Sequence, residues 1–434
     1  MGRRLAAVLV LVLVATEASG QDRDDPGNRN ATGRPANDRS ETAPSPYDPN
    51  DEAPPPNAPP PATPNQPAEP GSENQPKSET TTREEIQYKA DGKARLELGY
   101  DSNVFRAETG RTGDGFFHGF GQGELTITFP GERELFASLS GEAIQYFHQG
   151  VANETYADSF LSFYNPLSSV FDVEVQNSFE YSAQNLLDDN GDLLPRAKFD
   201  SYDEDARVTL IAHAGPKLSF EVSGGGRYND FEDNPGLPSL TYYEARGSAG
   251  VRVKPWTDGR FRIRYVFRDR RYTELPADTR DGTNVPGDPH LEEYRHQLVA
   301  TFAQKVEAAG MRFVAQIGYT LTYNLDLFQN DRTYREDAWT THLEWWPFPD
   351  WTELAFDLRA SNRDFLVRRT LQRGNAAFGT RLEQSYVELT LSASQKIVEH
   401  VSIVGEISWY LYHSTDIRAS YERFVAQGGI EASF

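Results

Sequence analysis

From about residue 93 onward the chain alternates between apolar and polar positions, residue by residue, in one segment after another. The last fourteen residues show the pattern most cleanly. Phe424, Ala426, Gly428, Ile430, Ala432 and Phe434 fall in one row, and Arg423, Val425, Gln427, Gly429, Glu431 and Ser433 in the other. A period of two belongs to a β-strand whose faces meet different surroundings. Sixteen such segments are predicted: 93–106, 115–129, 134–148, 156–165, 170–182, 199–214, 217–231, 240–254, 259–272, 291–305, 311–325, 334–346, 351–364, 381–397, 401–414 and 421–434. Most exceed the roughly 9–11 residues that a tilted strand needs to cross a bilayer.

The connections alternate in length. Pro130-Gly131-Glu132-Arg133, Pro166-Leu167-Ser168-Ser169, Gly215-Pro216, Pro255-Trp256-Thr257-Asp258, Glu307 to Gly310, Pro347-Phe348-Pro349-Asp350 and Val398-Glu399-His400 are short. The rest are longer, the largest being Ala183 to Lys198, Thr273 to His290 and Phe365 to Thr380. Short turns at one end and long loops at the other, with an even strand number, describe a transmembrane up-and-down antiparallel β-barrel whose turns are periplasmic. A soluble all-β protein is the alternative, and it would pack its apolar rows against each other. The polar rows carry Arg, Glu and Gln on strand after strand. Phe261, Ile263, Tyr265 and Phe267 oppose Arg260, Arg262, Arg264, Arg268 and Arg270; Leu354, Phe356 and Leu358 oppose Glu353, Asp357 and Arg359.

Composition narrows the reading. After the N-terminus no apolar run is long enough for a membrane helix, which excludes a helical bundle but not a barrel, whose strands average out in hydropathy. A net charge of −22 argues against nucleic acid, and the absence of cysteine removes disulfides, thiolate metal sites and cysteine nucleophiles. The 21 Tyr and 25 Phe suit aromatic belts at two interfaces. Trp256, Trp345, Trp346, Phe348 and Trp351 cluster at short turns, whereas Tyr100, Phe117, Tyr228, Tyr265, Tyr323 and Trp409 lie toward the long loops.

The N-terminus is of another kind. Arg3 and Arg4 precede the apolar stretch Leu5 to Ala15, and Ala18-Ser19-Gly20 offers small residues for cleavage, so residues 1–20 read as a signal peptide. Residues 21–88 form a Pro-rich acidic linker, with 15 of the chain's 27 prolines between Pro26 and Pro76. It has too few large apolar residues to offset its ordering entropy, so disorder is expected. It is either a solvated spacer or a tether for a periplasmic partner. Residues 89–434 make up the barrel.

Catalytic constellations are absent from the pattern. The eight histidines form no H-x-x-x-H, and there is no G-x-S-x-G. His413 with Asp416 is a pair that chance would supply in an acidic chain. Asp188-Asp189-Asn190-Gly191-Asp192 has the start of a calcium loop but lacks the terminal Glu. No enzyme activity and no cofactor or metal is expected.

The basic row of the ninth segment carries the most information. Arg260, Arg262, Arg264, Arg268 and Arg270 share one face, and the eighth segment adds Arg246, Arg252 and Lys254. If polar faces line the lumen, these form a positive stripe in an acidic protein. Asp172, Glu174 and Glu180 of the fifth segment, with Glu353 and Asp357 of the thirteenth, are candidate acidic partners across it. Such a wall either creates a transverse field that orients anionic solutes or neutralises itself and stiffens the barrel.

Two resemblances complete the reading. A terminal alternating strand ending on Phe434 resembles the assembly signal of bacterial outer-membrane barrels. Leu98-Gly99-Tyr100-Asp101-Ser102-Asn103-Val104-Phe105-Arg106, followed by a long alternating chain, resembles the opening of the β-barrel porin 2 family of Gram-negative bacteria. The resemblance implies an outer-membrane porin-like channel without catalytic residues, passing polar or anionic solutes, and a link to export of surface polysaccharide. It also implies contact with outer-membrane lipid and with the barrel-assembly machinery. The alternative is a structural or docking protein whose tether or surface loops bind a partner.

Overall fold

The computed structural model describes residues 86–434, apart from 105, 107–110, 186–197, 232–238, 257, 278–288, 309, 349–350, 372–377 and 416–419. The expected signal peptide and nearly all of the linker, the calcium-like loop at 188–192 and Asp416 therefore lie outside the described residues.

Sixteen strands follow one another: β1 (Gln87–Asp101), β2 (Asp114–Phe129), β3 (Arg133–Tyr146), β4 (Glu154–Pro166), β5 (Phe171–Asn185), β6 (Lys198–His213), β7 (Leu218–Phe231), β8 (Tyr242–Val253), β9 (Gly259–Pro276), β10 (His290–Ala308), β11 (Met311–Asp326), β12 (Tyr334–Phe348), β13 (Thr352–Leu371), β14 (Phe378–Val398), β15 (Val401–Ser414) and β16 (Tyr421–Ser433). Each pairs antiparallel with its sequence neighbours, and β1 pairs with β16, so the sheet closes into a barrel. Following paired residues once around the ring returns to β1 displaced by about 20 residues. With strands about 4.8 Å apart and about 3.3 Å per residue, that stagger tilts them by about 40° and makes the backbone cylinder about 32 Å across. A ring of this width leaves room for an aqueous interior beyond the side chains that line it.

The two rows of each strand take the two sides of this wall. On β1, Leu96, Leu98 and Tyr100 are exposed outward while Glu97 and Asp101 are buried. On β9, Phe261, Ile263 and Tyr265 are outside and Arg264, Arg268 and Arg270 inside. Apolar side chains so exposed around the whole ring are stable only against an apolar solvent. Among the described residues no helix is long and apolar enough to cross a membrane.

Short and long connections alternate as expected. Between β2 and β3 the pair Phe129↔Arg133 encloses a tight turn in which Gly131 (φ 79°) and Glu132 (φ 61°) are both left-handed. Glycine removes the Cβ clash that this conformation causes. Three expectations are corrected. The segment 93–106 is displaced: β1 runs from Gln87 and stops at Asp101, where Asp101 Oδ1 accepts from the Asn103 amide at 2.9 Å and turns the chain. Phe365 to Thr380 is mostly strand, because β13 and β14 continue pairing to Leu371↔Phe378 through two register shifts. Thr273 to Pro276 likewise belongs to β9. These extensions lose the apolar–polar alternation by which strands are recognised.

The expected aromatic belts are found on the outer face. Tyr100, Phe117, Tyr265, Tyr323 and Trp409 are exposed on the long-connection side, and Trp256, Trp345, Phe348 and Trp351 near the short turns. Trp346 departs from this: it pairs with Arg312 on the inward row, and the guanidinium lies 4.3 Å from its ring centroid.

The interior is uneven along its axis. Inward residues near the long connections, among them Asp101, Leu291, Asn324 and Phe365, are fully buried, whereas Gln122, Glu124, Glu344 and Gln427 toward the short turns are half-exposed. Apolar clusters sit inside the long-connection end, one built from Leu240, Tyr242, Tyr272, Leu275, Ala277 and Leu291.

Candidate functional site: an arginine wall inside the barrel

Arg260, Arg262, Arg264, Arg268 and Arg270 alternate along β9 and share its inward row, since the residues between them form the outward one. The register of β8 sets Arg252 beside Arg262, Gly250 beside Arg264, Arg246 beside Arg268 and Glu244 beside Arg270. The register of β7 sets Glu221 beside Gly250 and Arg227 beside Glu244. The ten inward positions so named on three strands are seven arginines, the two carboxylates Glu221 and Glu244, and Gly250.

Glu221 is the anchor of the half nearer the short turns. It is 2% exposed and accepts from Arg252 Nε at 2.7 Å, Arg262 Nε at 2.7 Å and Arg262 Nη2 at 3.0 Å. To meet Arg262 it crosses the whole of β8, and Gly250 is what lets it cross. A β-carbon at position 250 would lie 2.7 Å from Glu221 Oε1 and 2.9 Å from Ile263 O.

Glu244 holds the other half. Arg246 Nε donates to it at 2.5 Å and Arg270 Nε at 3.0 Å, and Arg268 Nη1 stands 3.8 Å away. Arg246 also pairs with Asp205 of β6. Arg227 Nε donates to Asp203 at 2.5 Å, and Arg270 lies 4.1 Å over the ring of Tyr242. Charge-assisted bonds of this kind fix each guanidinium plane.

Arg264 is held differently. It is 7% exposed, no ion pair is formed by it among the described residues, and its Nε is buried without a hydrogen-bond partner. Charges near it include the cations Arg262, Arg207 and Arg268 and the carboxylate Glu221. The middle of the wall therefore carries more positive than negative charge.

The acids expected to face this wall lie elsewhere. Asp172, Glu174 and Glu180 are on β5 and Glu353 and Asp357 on β13, each four strands from β9 and so a quarter turn around the ring. Asp172 bonds His213 at 2.6 Å, Glu174 accepts from Gln176 at 2.7 Å, and Asp357 bonds His342 at 2.6 Å. Sequence reasoning passed over Glu221 and Glu244. Glu244 shares the parity of Arg246 two residues away, a signal already present in the pattern; the place of Glu221 depends on register across two strand pairs.

Diametrically across from β9 is β1. There Glu97 bonds His118 Nδ1 at 2.8 Å, and Glu142 stands 3.5 Å from His118 Nε2. Arg95 meets Glu431 at 2.7 Å. Among the residues named here, the carboxylates Glu97, Glu142 and Glu431 stand against Arg95 and His118. Among the described residues no group of three or more His, Asp or Glu is placed to hold a metal ion.

The β1 opening motif is a closure device. Asp101 accepts from Arg423 Nε at 2.9 Å and from Tyr146 Oη at 3.0 Å, and Asn103 Nδ2 donates to Glu422 O at 2.9 Å. Phe434 lies at the other end of the same seam. Its amide and carbonyl both bond Gly92 at 2.9 Å, and its ring covers that glycine.

No protein-family model matches the chain, and no curated protein matches it. The β-barrel porin 2 resemblance thus rests on the residues that suggested it. Among solved structures the chain is similar to OprB of Pseudomonas putida, with 10% identity, a TM-score of 0.46, and coverage of 80% of this chain and 94% of that one. It is similar to an anion-selective porin of Comamonas acidovorans, with 9% identity, a TM-score of 0.42, and coverage of 81% and 100%. A bacterial polysaccharide outer-membrane secretin is also similar, with 8% identity, a TM-score of 0.37, and coverage of 79% and 98%. At these values the likenesses carry no argument, and the architecture stands on the chain's own closed ladder.

Proposed function

We propose that this chain is a channel of a Gram-negative outer membrane that passes polar and anionic solutes. The observation that carries the reading is the set of inward arginines on β7, β8 and β9, more numerous than the carboxylates Glu221 and Glu244 set among them, inside a closed barrel whose outer face is apolar. Arginines on one wall and carboxylates on the opposite one orient a charged solute and attract anions toward the guanidiniums. The row runs along the strand, so an anion that enters meets successive positive groups instead of one deep trap. The test is reconstitution of the full chain in a planar bilayer under a salt gradient. A reversal potential on the anion side is expected; absence of conductance overturns the channel.

Export of surface polysaccharide is the finer form of this reading, and it rests on the family resemblance of the 98–106 motif. Acidic polysaccharide has carboxylates that guanidinium forks bind well. Cells lacking the chain are expected to lose surface polysaccharide, and normal amounts of it would remove this form alone.

One observation favours a second reading, in which the barrel is an anchor. Its inward side chains are fully buried near the long connections. In that case the Pro-rich N-terminal segment binds a periplasmic partner. Deleting residues 22–85 is then expected to abolish the cellular phenotype while leaving any conductance unchanged.

A further inference from the structure

Between the arginines of β9 and those of β6 the inner wall is low. The inward row of β7 runs Glu221, Ser223, Gly225, and that of β8 runs Arg246, Ser248, Gly250. Ser223 pairs with Ser248, and their hydroxyls are 2.7 Å apart. Gly225 lies beside Arg207 of β6 on one side and Arg246 on the other. Small residues thus floor a depression, and longer cationic side chains rise around it.

The rim is unbalanced in charge. Arg252 and Arg262 share Glu221, and Arg246 is held between Glu244 and Asp205. Arg207 donates its Nε at 3.0 Å to a neutral partner, Gln176. Arg264 is more than nine-tenths buried, forms no ion pair among the described residues, and has a buried Nε with no acceptor. Buried donors without acceptors are costly, and a fixed guanidinium satisfied by an anion removes that cost.

We propose that this depression is a saturable oxyanion subsite. Arg264 and Arg207 are the binding cations, Ser223 and Ser248 the hydroxyl floor, and the carboxylate, phosphate or sulfate group of a solute the ligand. The inference rests on the anion-channel reading for its role but not for its existence. A planar or tetrahedral oxyanion over the floor takes N–H donors from both sides, which suits guanidinium forks better than ammonium groups. The Glu221 carboxylate already occupies the gap at Gly250, which sets one boundary of the site.

The full chain refolded in detergent is titrated with inorganic phosphate, and separately with glucuronate, by calorimetry. Saturable binding of one or both is expected, and it distinguishes phosphate from sugar-acid sources. Arg264→Gln combined with Arg207→Gln is expected to weaken it about tenfold or more. Ser248→Leu fills the floor and keeps every arginine, and it is expected to abolish binding as well. If binding survives Ser248→Leu unchanged, the effect is a diffuse field and the subsite is overturned. Equal affinity in the double glutamine variant, or no binding to the natural chain, overturns it too. Heat-modifiable migration on gels shows that each variant is folded. Conductance is measured in parallel, so binding without conductance removes the channel and spares the subsite, whereas conductance without binding does the reverse.

Discussion

Asp101 of β1 and Arg423 of β16 form a buried ion pair across the seam where the first and last strands of the barrel meet. Arg423 Nη2 stands 2.7 Å from Asp101 Oδ2, and Asp101 is fully buried. The pair closes one end of the seam, while Phe434 and Gly92 close the other. Asp101→Ala leaves a buried guanidinium without its carboxylate, which costs about 3–5 kcal/mol. The expected outcome is a lowered urea midpoint for loss of the heat-modifiable barrel band. An unchanged midpoint would mean that the motif Asp101 to Asn103 has no closing role.

The Phe434 ring covers Gly92, where a β-carbon would lie 2.7 Å from its Cζ. Gly92→Val is therefore expected to displace the ring, and Phe434→Ala to remove it. Both are expected to slow formation of the folded band in liposomes several-fold relative to Leu391→Val, a mild change elsewhere on the outer face. Equal folding rates in all three would separate Phe434 from assembly.

Glu221 neutralises Arg252 and Arg262 through three N–H bonds. Glu221→Gln keeps the shape and removes the charge. It is expected to shift the reversal potential further toward anions and to lower stability by about 2 kcal/mol, the scale of hydrogen bonds to charged groups. A shift toward cations would place the permeation path away from this wall.

Leu96 is more than half exposed on the outward row of β1. Leu96→Arg is expected to cost about 2–4 kcal/mol in a bilayer if the site lies near midplane. The same substitution in water-soluble surroundings would cost little. Comparing unfolding in liposomes with unfolding in a polar detergent checks which solvent the outer face was built for.

The amino-acid sequence by itself marked out sixteen alternating segments in order and separated the two rows of each, while the closed ladder fixed the count and showed which row turns inward. The reason is that alternation records the two solvents on the two sides of a wall, and this information is local. It failed where the two solvents become one: β13, β14 and the end of β9 run on past the alternating stretch, and the sequence there reads as loop. It also identified the arginines of β9 as one row. Tertiary structure decided what those arginines meet. Register and stagger bring Glu221 across Gly250 to Arg262, place Glu244 beside Arg270, leave Arg264 outside the ion pairs of the described residues, and set Asp172 and Asp357 a quarter turn away. Those relations depend on how each strand slides against the next around a closed ring. No single segment contains that information, because a slide of two residues preserves every face and changes every partner.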